Sequence, residues 1–253
     1  MRGWLALAAC VVLMTGCVSV IPSASKWTID SRVDIQTRLG LSYMQIGRLE
    51  PATQALGRAL ALSPGDSRAN HAMALLQLRI SDRTAAEPYF LQAVDADDNN
   101  FSARNDFGGY LCQSGQIEEG LAQFDNALRN PYNDALYISQ LGVGACYVRI
   151  LNWKAAERFF SLALAGRPKF ALALYRMAEV TFAQADHLRT RAYLQRFFDT
   201  GAGSAASLSL ALRNELKLKA SDLAQQYANR LRAEFPQSRE ASDIARLMAN
   251  AND

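Results

Sequence analysis

The sequence predicts an all-α solenoid of about six stacked helix pairs closed by a C-terminal capping helix. Three observations predict it. Small residues recur in register at Gly40, Ala74, Gly108 and Gly144, and again further along each unit at Ala52, Ala86, Gly120 and Ala156. Large apolar residues follow at Leu56, Phe90, Phe124 and Phe160, and beyond them come Ala59, Ala93, Ala127 and Ala163. Each unit then ends near a residue that stops a helix or forms a turn, namely Pro64, Asp98, Pro131 and Pro168. A small residue where two helices cross lets their axes approach, and the large side chain fills the space beside it.

Taken in chain order, the first element is an export signal over residues 1–16. Arg2 supplies a positive charge, and Trp4 to Met14 forms an uncharged apolar run too short for the roughly 20 residues that a membrane span needs. The end of that run, Leu13-Met14-Thr15-Gly16-Cys17, resembles a bacterial lipobox, with Met14 where leucine is usual. The resemblance implies cleavage before Cys17 and lipidation of its thiol, and Val18 after it resembles the outer-membrane sorting default of Gram-negative lipoproteins. More than one acyl chain makes anchoring stable, at about 0.8 kcal/mol per buried methylene. The competing reading is an ordinary cleaved signal with an incidental cysteine. Residues 17–30 hold Pro22 and several serines without a helical period, and read as the lipidated N-terminus and a short tether.

The repeat domain spans 31–253. Its units lie near 33–66, 67–100, 101–134 and 137–170, with Ala135-Leu136 inserted before the fourth, and segments 171–204 and 205–236 read as degenerate fifth and sixth units. Residues 237–253 read as a solvating cap, because the last unit of a stack has no neighbour. The net charge of +3 gives no extreme that points to nucleic acid.

Two cysteines remain in the repeat domain, Cys112 and Cys146, on the first helices of adjacent units. In a compartment that oxidises thiols they can bridge if their α-carbons come within about 7 Å. Two buried free thiols are the alternative.

Catalytic chemistry finds little material. The two histidines, His71 and His187, have no companion ligands at metal-binding spacing, and His187 after Asp186 reads as a solvated turn residue. No GxSxG or HExxH occurs, Gly201-Ala202-Gly203-Ser204 reads as a loop between helices, and Glu118-Glu119 reads as a dipole-matched helix start. The sequence therefore predicts neither enzyme, metal, cofactor nor small-molecule substrate.

The period and the placement of small residues resemble the tetratricopeptide repeat, whose right-handed stack of antiparallel helix pairs lines its inner curve with first-helix places two, five, nine and twelve. That resemblance implies a partner groove made by Leu41, Met44, His71, Leu75, Leu78, Asn105, Asp106 and Gln113, suited to an extended or helical peptide. The alternative for each is packing against the next unit. Leu41, Met44, Leu75 and Leu78 make the first two units the preferred docking section.

Whole-chain likeness narrows this further. The blocks RLGLSYMQIGRLEPATQALGRALALSP (38–64), NDFGGYLCQSGQIEEGLAQFDNAL (105–128), LGVGACYVRILNWKAAERFFSLAL (141–164) and ASLSLALRNELKLKASDLAQQYANRLRAEFPQSRE (206–240) resemble the type IV pilus biogenesis and stability lipoproteins, the PilF/PilW group. The resemblance implies a pilotin that binds the secretin subunit and promotes its outer-membrane localisation and multimer assembly, held on the periplasmic side of the outer membrane by its lipid. The competing expectation is a scaffold lipoprotein for another envelope or cell-wall complex, because a fold does not fix a partner.

Overall fold

The computed structural model describes residues 28–80 and 82–249, and among them every regular element is a helix. The signal at 1–16, Cys17 and the tether as far as Trp27 lie outside the described residues, as does the end of the cap at 250–253.

Six helix pairs follow one another: α1 (Ile29–Gln45) with α2 (Leu49–Leu62), α3 (Ser67–Arg79) with α4 (Arg83–Ala96), and α5 (Phe101–Gln113) with α6 (Ile117–Arg129). Then come α7 (Leu136–Arg149) with α8 (Trp153–Gly166), α9 (Ala171–Ala183) with α10 (His187–Phe198), and α11 (Ala205–Lys217) with α12 (Ser221–Glu234). Each pair packs on itself and then on the next, and first helices also meet side by side, α1 on α3, α5 on α7, α7 on α9 and α9 on α11. The fold is the predicted solenoid. Its first helix begins at Ile29, capped by the Thr28 hydroxyl, so the last residues expected in the tether are helical.

The start signals are chemical. Asp66, Asp82, Asn100, Asn152, Asp186 and Ser204 each accept a hydrogen bond from a backbone N–H in the first turn of the helix that follows. The turn inside each unit is equally regular: the second residue past the first helix's cap donates its N–H back across the turn, Arg48 to Tyr43, Asp82 to Gln77, Gln116 to Leu111, Asn152 to Tyr147, Asp186 to Thr181 and Ala220 to Glu215. This closure needs a left-handed residue before the donor. Gly47 and Gly115 supply it at φ 75° and 88°, whereas Leu151, Ala185 and Lys219 adopt it at 57°, 60° and 56°.

The register of small and large residues makes the core. A β-carbon on Gly40 would sit 2.5 Å from Leu56 Cγ, and one on Gly108 would sit 2.8 Å from Phe124 Cε2. Gly144 bears the same relation to Phe160. Leu56, Phe90, Phe124 and Phe160 are fully buried, as are the alanines that follow them. In the sixth unit the two sizes exchange places, with Leu212 on the first helix and Ala228 on the second, both buried. The fifth unit replaces its second-helix alanine by Thr190, whose Oγ1 lies 3.0 Å from that of Thr181. The sixth-unit exchange keeps the volume, the fifth-unit change adds a paired hydroxyl, and both lose the pattern.

Beyond the sixth unit the cap is two short helices, α13 (Arg239–Ser242) and α14 (Ile244–Ala249), where the sequence predicted a single solvating helix. Asp243 separates them. The break turns Ile244 inward, where it is 1% exposed against Leu208, Leu212 and Leu231 and closes the core of the last unit. Among the described residues no helix is long and apolar enough to cross a membrane.

Candidate partner-binding face

Among the described residues, the face made by the first helices carries separate hollows. The first, of about 340 Å³, lies between α1 and α3 and is walled by Leu41, Ala72, Leu75 and His71, with Asp34, Arg38 and Arg68 around it. Arg68 pairs with Asp34 at 3.0 Å, and His71 Nε2 lies 2.8 Å from Asp106 Oδ2 on α5. At its base the Thr37 hydroxyl is buried without a hydrogen-bond partner among the described residues. Leu41, His71 and Leu75 of the sequence-derived groove thus come together, and Asp106 reaches them through His71.

The other groove residues separate. Met44 departs from expectation: it is 6% exposed, packed with Ala52, Leu56, Ala72, Met73 and Leu76, so the last turn of α1 rolls its side chain into the core and away from any partner. Leu78 is half-buried on the cluster of Phe90, Phe107 and Leu111. Asn105 is also half-buried, and its Oδ1 finds no hydrogen-bond partner among the described residues. Gln113 is exposed at the end of α5 and lines a second hollow of about 310 Å³ with Ala145, Val148, Arg149 and Arg176.

A third hollow, of about 380 Å³, runs between α9 and α11 beneath the cap, lined by Tyr175, Glu179, Phe182, Leu210, Arg213 and Glu240. It lies beyond the sequence-derived groove, which ends at the third unit, although Tyr175, Glu179 and Phe182 hold first-helix places five, nine and twelve of the fifth unit. Burial, together with the charge of Glu179, pushes the Tyr175 phenol up to about 12. Arg213 lies over the Phe182 ring at 4.8 Å. His187 differs from its expected solvated state: it opens α10, meets the Phe182 ring edge-on at 5.4 Å, and its Nδ1 lies 3.2 Å from Asn214 Oδ1.

Cys112 and Cys146 are bonded, with α-carbons 5.5 Å apart, and they tie α5 to α7 behind the second hollow. The bond sits in a cluster with Phe124 and Val143. Among the described residues no three His, Cys, Asp or Glu side chains are placed to hold a metal ion. The groups this face presents are apolar side chains and ion-pairing ones.

Comparison with known proteins agrees with that geometry. Residues 33–66 match the tetratricopeptide repeat family. The type IV pilus assembly protein PilF of Pseudomonas aeruginosa is 27% identical over 242 residues, which cover 91% of this chain and 93% of that protein. The chain is homologous to PilF. Among solved structures, PilW, a widely conserved type IV pilus biogenesis factor, superposes with a TM-score of 0.79 at 25% identity, covering 84% of this chain and 98% of PilW. Pseudomonas aeruginosa PilF superposes with a TM-score of 0.74 at 23% identity, over 86% of this chain and 98% of PilF, which shows the shared fold.

Proposed function

We propose that the chain is a lipid-anchored pilotin that holds the secretin subunit of the type IV pilus and promotes its delivery to the outer membrane and its assembly into multimers. The observation that carries this reading is the likeness to a type IV pilus assembly protein across 91% of the chain. The inner face supports it, because Leu41, Ala72 and Leu75 offer an apolar seat flanked by Arg38, Arg68 and the His71–Asp106 pair. An extended segment laid there buries apolar side chains while polar groups at the rim meet its backbone. Cys17 carries the lipid in this reading and faces the chain toward the periplasm from the outer membrane.

The test is to replace Cys17 by alanine, or to delete the gene, and to fractionate the membranes. Secretin should then remain monomeric in the inner membrane. Heat-stable secretin multimers at normal abundance in the outer membrane would overturn the proposal. Leu75→Asp places a charge in the seat and should abolish secretin capture, but Leu75 also packs on the buried clusters around Leu76 and Phe90, so its thermal transition should fall. Leu41→Asp, at a side chain 36% exposed, makes the same test with the fold kept.

A further inference from the structure

We infer that the partner segment held on the inner face carries an acidic side chain, which the Arg149–Arg176 cleft receives. The inference rests on the groove reading above and names the chemistry of its occupant. Arg149 ends α7 and Arg176 lies on α9, so the two guanidiniums come from adjacent first helices into one hollow of about 310 Å³. The Arg149 side chain is held in place by donating from Nη2 to the Gln113 carbonyl at 3.1 Å, which satisfies an open carbonyl at the end of α5. Among the described residues Arg149 pairs with no carboxylate. Arg176 donates to Glu179 at 2.7 Å, which neutralises that one guanidinium and leaves the cleft with an excess positive charge.

The walls between the arginines are Ala145 and Val148, half-buried apolar side chains that hold water away from one side of any ion that enters. A carboxylate there would accept charge-assisted hydrogen bonds, stronger than neutral ones, from the Arg149 guanidinium. The cleft, like the apolar seat, is lined by first-helix side chains. Adjacent first helices lie about 10 Å apart, so the seat centred on α3 and the cleft centred on α7 are about 20 Å apart, a distance an extended chain spans in about six residues. The occupant is therefore a polypeptide with an apolar residue and, about six positions away, an aspartate or glutamate.

The experiment is selection of a phage-displayed random peptide library on the full chain and on Arg149→Glu and Leu75→Asp variants, followed by fluorescence anisotropy of the selected peptide and its Glu→Gln form. The expected result is a consensus pairing an apolar and an acidic residue, an affinity loss of about tenfold on neutralising the acid, and a switch to basic residues with Arg149→Glu. An apolar consensus without acidic preference, or one unchanged by Arg149→Glu, overturns the inference and leaves the groove reading intact. No enrichment on the full chain, or one indifferent to Leu75→Asp, overturns both. Phosphatidylglycerol vesicles binding with the same dependence on Arg149, in place of peptide, would make the cleft a lipid site and also overturn it.

Discussion

Phe124 of α6 lies so close to Gly142 of α7 that a β-carbon at position 142 would fall inside the ring's contact distance, with Cδ1 at 3.0 Å and the ring edge nearer still. The same ring rests on Gly108 of α5. One phenylalanine is thus clasped between glycines of two successive first helices, and the crossing of α5 with α7 has no room for a larger residue at either point. Gly142→Ala should cost about 2 kcal/mol by overpacking. The control is Gly57→Ala in α2, where nothing lies within 4 Å of the new atom, which should add about 0.8 kcal/mol through helix propensity. Urea midpoints of the two variants check the pair, and a Gly142→Ala protein as stable as the parent would contradict the tight crossing.

The disulfide reinforces that crossing. Gly120 lets the second helix of the third unit come down on Cys112, because a β-carbon there would stand 2.5 Å from the sulfur. With 34 residues in the closed loop, the Cys112→Ala/Cys146→Ala double variant should lose roughly 3–4 kcal/mol by the chain-entropy estimate. Since the bond joins α5 and α7 behind Arg149, its loss should also loosen the cleft. Thermal unfolding with and without reductant measures the effect, and identical transitions would show that the bond adds nothing.

The first four units were legible because each keeps glycine or alanine on one helix and a large side chain on the other, and that contrast survives in one sequence. Leu212 and Ala228 do the same job with the sizes exchanged, so the sixth unit reads as degenerate and keeps the register only at Ala224 and Pro236. Gly142 escaped for a different reason: it packs against the ring of the preceding unit, so no repeat within its own unit announces it. The groove was legible in part. Periodicity places Leu41, His71 and Leu75 on one face, but it could not tell that Met44, at the end of the same helix as Leu41, rolls inward, nor that α13 packs on α11 and brings Glu240 to the far end of the face.

Tyr175 gives the chain an alkaline weakness with a defined sign. Its phenol is held up to about 12 in the fold, mainly by burial and then by Glu179, against an ordinary value of 10.0. The folded state therefore keeps a proton that the unfolded chain releases, so the stability from Tyr175 is complete below pH 10 and disappears as the pH rises from 10 to about 12. Tyr175→Phe cannot ionise and should lose less stability across that interval than the parent. Urea midpoints at successive pH values, taken as the difference between parent and variant, isolate this group from Tyr110 and Tyr227, which are raised for the same reason. A difference that stays constant through the interval would show that the phenol is not buried as described.

The turn inside each unit makes the last prediction. Leu151 and Lys219 occupy the left-handed position that Gly47 and Gly115 fill in the first and third units. An L-residue with a β-carbon pays roughly 1–2 kcal/mol for that conformation. Glycine pays nothing there but loses about 0.5–1 kcal/mol more backbone entropy on folding, so the net gain from Leu151→Gly should be about 0.5–1 kcal/mol. The leucine side chain is 66% exposed, so little burial is lost with it. Lys219→Gly should gain similarly, and because the two turns lie in different units the effects should add. Leu151→Ala keeps the β-carbon and should gain nothing, which separates relief of strain from removal of an exposed apolar side chain. If the alanine and glycine variants unfold at the same urea concentration, the strain is absent and the turn owes its shape to the packing on either side.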